Sequence, residues 1–93
     1  MAALLALALS AADATARQDA RKMACNDVRE LVFSAGAIVI TTGDRTFDRY
    51  VESQRFCQPV DEVSVPAFVE TRDNPQCWIG YVCRDRSDME GGD

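Results

Sequence analysis

Apolar positions fall into phased blocks along the chain, and each block predicts an element. From Cys25, residues Val28, Leu31, Val32 and Ala35 recur on one side of a 3.6-residue repeat. Arg21, Lys22, Asp27, Arg29 and Glu30 fill the other side, so a helix is expected over 19–35. Gly36 follows the last periodic residue, where a helix-ending glycine belongs. Residues 37–42 (Ala-Ile-Val-Ile-Thr-Thr) are β-branched and apolar on both parities, the pattern of a strand covered on both faces and hence central. Gly43-Asp44 marks a turn. Residues 46–57 fit two descriptions. Phe47, Tyr50 and Val51 have helical spacing, and an irregular packed loop fits nearly as well. Val63, Val65, Ala67 and Val69 alternate with Ser64, Pro66, Phe68 and Glu70, a period-2 strand. Pro66 has no N–H to give a ladder, which places that strand at an edge. A turn over 72–76 leads into a second arm over 77–84, so a hairpin is expected over 63–84. Residues 87–93 are acidic and Gly-rich and read as a flexible tail.

The expected architecture is α+β: one N-terminal helix packed on a small, mainly antiparallel sheet of about three strands. Ahead of it, residues 1–16 hold an Ala/Leu run too short for a membrane span, which needs roughly 20 apolar residues. Ala14-Thr15-Ala16 has the small-x-small form of a leader cleavage site, although no Lys or Arg precedes Arg17. The reading is a signal peptide over 1–16, a single domain over 17–86 and the tail over 87–93. It implies a periplasmic or secreted protein with no membrane span after cleavage.

Export changes the meaning of Cys25, Cys57, Cys77 and Cys83. An even set of cysteines in a small exported chain reads as two disulfides. The need is physical, because a domain of this size buries little apolar surface against its chain entropy. No CxxC occurs, so a four-thiolate zinc site and a thioredoxin-like redox centre are not expected, and no metal or cofactor is assigned. If residues 77–83 are extended, their ends lie about 20 Å apart. A disulfide wants Cα atoms within about 7 Å. A Cys77–Cys83 bridge therefore needs a turn at Gly80. Otherwise the pairings are 25–77 with 57–83, which is preferred, or 25–83 with 57–77.

Charge and composition narrow the function. The 93-residue chain has 10 Lys+Arg, 15 Asp+Glu and no His, for a net charge of −5. A nucleic-acid binder needs a basic footprint, which this balance opposes. Without His there is no Ser-His-Asp or Cys-His machinery. No catalytic residue is assigned, and the acidic residues read as a solvated surface. Asp48-Arg49-Tyr50 is a candidate recognition patch, with Arg49 able to hold a carboxylate or phosphate and Tyr50 to stack beside it. The plainer description puts Tyr50 in the core and leaves Asp48 and Arg49 in local ion pairs. Phe68, Trp78 and Tyr81 form a candidate aromatic cluster on the hairpin. Trp78 is its most exposed member, with Tyr81 on the opposite parity. Residues 70–76 fit an inhibitor loop or an ordinary turn.

Further landmarks are shared with a known group. They run from Cys25 and Val28 through Gly36-Ala37-Ile38-Val39, Phe47-Asp48-Arg49-Tyr50-Val51, Phe56-Cys57 and Val69-Glu70-Thr71-Arg72-Asp73 to Cys77, Gly80-Tyr81 and Cys83. Over residues 25–84 the chain resembles small exported four-cysteine proteins of alphaproteobacteria, rhizobia among them. Trp78 stands where that pattern has proline. The resemblance implies an envelope location and disulfides, and no activity. The functional expectation is a non-enzymatic structural or protein-binding module of the cell envelope, with possible contacts at Arg49, Tyr50 and Trp78. The alternative is a small inhibitor or host-directed secreted factor acting through the 63–84 hairpin.

Overall fold

The computed structural model describes residues 17–90. The expected signal peptide over 1–16 and the last three residues of the expected tail lie outside the described residues.

The helix predicted over 19–35 is split in two. A 3₁₀ turn occupies Ala20–Lys22, and helix α1 spans Cys25–Ala35. Two groups hold the break between them. The Asp19 carboxylate caps the 3₁₀ turn by accepting from Arg21 N–H. Met23 is extended, and its carbonyl accepts the Arg72 N–H at 2.8 Å. The cap position at the start of α1 is Ala24, which has no side chain able to cap it. The Asp73 carboxylate, 48 residues away, supplies the missing acceptor for Cys25 N–H at 2.8 Å. The helix ends at Gly36, whose φ is 84° and whose N–H donates to the Val32 carbonyl. A Cβ at Gly36 would lie 2.7 Å from the Phe56 ring. Gly36→Val should therefore lower stability by about 2–3 kcal/mol, from positive φ and crowding together. Chemical denaturation measures this, and an unchanged midpoint would remove Gly36 from the helix end.

Strands β1 (Ala37–Thr41), β2 (Phe47–Val51), β3 (Glu62–Val69) and β4 (Cys77–Asp85) form one antiparallel sheet in the order β1-β2-β4-β3. The α+β expectation holds, with α1 packed on this sheet and one strand more than foreseen. The hairpin over 63–84 is present as β3–β4, and Pro66 lies on an edge strand as expected.

Two expectations are corrected. The segment read as helix or loop contributes β2 and then a 3₁₀ turn over Gln54–Phe56. The strand pairing decides this. Tyr50 stands opposite Ile38 and Asp48 opposite Ile40, which puts the Tyr50 ring on the face α1 covers. Strand β1 is an edge strand and not a central one. Its two faces differ, because Ile40 is fully buried under α1 while Val39 stays 40% exposed on the other side. The Asp19–Thr41 bridge, with Thr41 N–H donating to the Gln18 carbonyl, covers only the end of its outer edge.

The core joins Val28 and Val32 of α1 to Ile40, Tyr50, Ala67, Val69, Cys77, Ile79 and Val82 of the sheet. The two hairpins meet at the register pair Val51–Tyr81. There Gly80 has φ 135°, and a Cβ on it would lie 2.8 Å from the Val51 carbonyl oxygen. Opposite β3 the register shifts between Ala67 and Phe68, so that Ile79 is an extra residue in β4. Residues Arg86–Glu90 form helix α2, where the sequence places the start of a flexible tail.

Candidate partner-binding surface

Both cysteine pairs are bridged as preferred. Cys25–Cys77 ties the first residue of α1 to the first of β4, and Cys57–Cys83 ties the loop after β2 to the far part of β4. Cys77 and Cys83 sit apart along one strand and so cannot bond to each other.

The three residues singled out as possible contacts do not form one patch. Tyr50 is 6% exposed and belongs to the core. Burial, and then the charge of Asp48, push its phenol above the ordinary tyrosine range. Arg49, its neighbour along β2, points to the opposite face, because strand side chains alternate. Arg49 is exposed and donates weakly to the Phe56 carbonyl at 3.4 Å. Asp48 pairs with Arg84 at 3.1 Å and accepts the Arg49 N–H, so the local ion pair is made with β4.

Trp78 is half-buried and anchors an aromatic row. Its ring meets Phe33 of α1 and Tyr81 of β4 edge-to-face, both at 5.8 Å between centroids. The Arg29 guanidinium lies 5.6 Å from the Trp78 ring centroid, and its Nε donates to the Trp78 carbonyl at 2.9 Å. Phe68 stands opposite Trp78 in the β3–β4 register and is 60% exposed. Parity counting placed Tyr81 on the other face from Trp78. The extra residue Ile79 shifts the alternation by one and brings the two rings together. Phe33 was not foreseen, because α1 was counted from its buried stripe. The ring begins one position past Val32, on the flank facing Trp78. Phe33 itself is 41% exposed. The result is a partly exposed apolar row beside a guanidinium, which suits contact with a protein surface.

The turn over residues 70–76 is held against the start of α1. Thr71 is buried, its N–H and hydroxyl both donate to the Asn74 carbonyl, and Arg72 N–H donates to Met23. Asp73 accepts from Cys25 N–H and the Thr71 hydroxyl. Its carboxyl is lowered first by the Cys25 N–H, against some desolvation. Asp19 is lowered to about 2, mainly by its hydrogen bond from Arg21, and Asp85 is lowered mainly by the Ser87 hydroxyl. Folded values below unfolded ones mean that this stabilisation is complete above about pH 4. It is lost as pH falls through the folded-state values. Thermal melts should therefore be flat near neutrality and decline below about pH 4. Asp73→Asn should melt lower at neutral pH and lose part of that acid slope. An unaltered slope would show that the Asp73 charge does not hold the helix end.

No helix among the described residues is long and apolar enough to cross a membrane. Comparisons with protein-family models, curated proteins and solved structures find no match to this chain.

Proposed function

We propose that this chain is an exported, non-enzymatic protein-binding module of the cell envelope, with its partner contact along the Phe33–Trp78–Tyr81 row and Phe68. The observation that carries this reading is that row of partly exposed aromatic rings, set on a scaffold closed by two disulfides. Disulfides persist in oxidising compartments, which supports a periplasmic or secreted location. The resemblance to small exported four-cysteine proteins points the same way. Aromatic side chains bring large contact area at low entropy cost, and a neighbouring Arg is a frequent companion in binding surfaces.

Two measurements test it. Intact mass of the exported protein, with and without reductant before alkylation, should show a chain beginning near Arg17 with no free thiol until reduction. Pull-down from envelope extract should capture a partner with the wild type and lose it with Phe33→Ser/Phe68→Ser. Both residues are exposed, so the variant should keep its fold, as circular dichroism checks. Free thiols in the exported protein, or equal capture by both forms, would overturn the reading. A second reading, an inhibitor acting through the 63–84 hairpin, is favoured by the hydrogen-bonded stiffness of its 70–76 turn. Tight inhibition of an exogenous hydrolase, abolished by changes at Pro75 and Gln76, would select it.

A further inference from the structure

We propose that Cys57, Cys83 and Glu62 form a reduction-gated site for a thiophilic divalent cation of the zinc class. The two sulfurs and a Glu62 carboxylate oxygen all lie within 4.8 Å of one another. In a tetrahedral zinc site, bonds of about 2.3 Å to sulfur and about 2.1 Å to oxygen put neighbouring donors roughly 3.5 Å apart. The donors are therefore within a small side-chain adjustment of a shared metal once the S–S bond is open. The Cα atoms of Cys57 and Cys83, 5.5 Å apart, need not separate far for this.

The loop carrying Cys57 is held without the disulfide. The Gln54 carboxamide donates to the Glu62 carbonyl at 3.1 Å and accepts the Ser64 N–H at 2.7 Å. That is the two-point pairing a neighbouring strand would supply. Gln58 N–H donates to Glu62 Oε1 at 2.8 Å, and Glu62 N–H donates to the Gln58 carbonyl at 2.9 Å. Cys83 stays fixed in β4 opposite Ser64. The Glu62 carboxylate is oriented by the hydrogen bond that its Oε1 accepts from Gln58 N–H. Such support of a ligating carboxylate is what metal sites require. Glu62 and Cys83 are half-buried, so water can complete a fourth position.

The gate is chemical. A dithiol reductant attacks one sulfur of Cys57–Cys83, passes two electrons into the S–S bond and leaves as its own disulfide. The Cys57 and Cys83 thiols that result each release a proton as the cation binds. Access favours this bridge through one sulfur. Cys57 and Cys25 are both buried, but Cys83 is half-buried whereas Cys77 is wholly buried, and the Arg29 guanidinium sits against the Cys25 sulfur at 3.4 Å.

The test uses the purified protein and Zn²⁺, with Co²⁺ as a spectroscopic stand-in. Limiting dithiothreitol under native conditions, followed by alkylation and peptide mapping, should open Cys57–Cys83 first. Zn²⁺ titration should then find no site in the oxidised protein and one equivalent in the singly reduced protein, with proton release. Bound Co²⁺ should show thiolate charge-transfer absorption. Glu62→Gln should weaken the reduced form's affinity by about tenfold or more, and Cys57→Ser/Cys83→Ser should not bind. Earlier opening of Cys25–Cys77 would overturn the proposal. So would collapse of the sheet signal on single reduction, equal binding by oxidised protein, or unchanged affinity in Glu62→Gln.

Discussion

Replacing Gly80 by Val should lower the unfolding free energy by about 3–5 kcal/mol, the largest effect expected from any single substitution in the sheet. Two causes add. A side chain at φ 135° occupies backbone space open essentially to glycine alone, which costs roughly 1–3 kcal/mol. A Cβ there would stand 2.8 Å from the Val51 carbonyl oxygen and 3.2 Å from Val32 Cγ1. Neither neighbour moves freely. Val51 is fully buried and forms the register pair that joins the hairpins, and Val32 is fully buried on the inner face of α1. Such overpacking costs about 1–3 kcal/mol more. Urea denaturation should show a lower midpoint, and Gly80→Ala should lie between the variant and the wild type. A midpoint within error of wild type would mean that β2 and β4 do not approach closely at this point.

The two disulfides should differ in weight. Opening Cys25–Cys77 in a Cys25→Ala/Cys77→Ala variant frees a sequence separation of 52 residues, against 26 for Cys57→Ala/Cys83→Ala. Loop-closure entropy alone assigns these about 4 and about 3.5 kcal/mol. Packing widens the gap. Cys77 is wholly buried in the core cluster, so its removal also leaves a void. The Cys57 loop keeps its hydrogen bonds to β3 through Gln54 and Gln58. Domains of this size hold only a few kcal/mol in reserve. The first variant should therefore lose its cooperative thermal transition near physiological temperature, while the second should keep one at a lower midpoint. The reverse order would mean that the link between α1 and β4 is not the main staple of this fold.

The fold class was legible because its largest signals are local. The Cys25–Val28–Val32 stripe, Gly36 and the 63–84 alternation each follow from a repeat or from a backbone preference that neighbouring residues set. Pro66 marked an edge for a similar reason, since a missing N–H is intrinsic to the residue. Strand β2 was hidden because Phe47, Tyr50 and Val51 have helical spacing and fall on both faces of a strand, so no period-2 alternation marks them. Its pairing with Ile38 and Ile40, which only the assembled chain supplies, selects the strand.

The candidate surface was less legible. Trp78 was identified with Phe68 and Tyr81, but Phe33 was not, and Tyr81 was given the wrong face because one extra residue at Ile79 inverts every parity count beyond it. Tyr50, read as a candidate contact or as core, is core, and the face it takes depends on a partner strand. Residue types and short-range spacing were enough for the buried face of the helix, the hairpin, the expectation of two bridges and the exclusion of His-based chemistry, while the pairing of the cysteines needed the folded chain. The edge position of β1, the Asp73 cap on a helix 48 residues away, the aromatic row and the sulfur–carboxylate cluster all needed the folded chain. They arise from contacts between distant segments, and no local preference of the chain encodes which segments those will be.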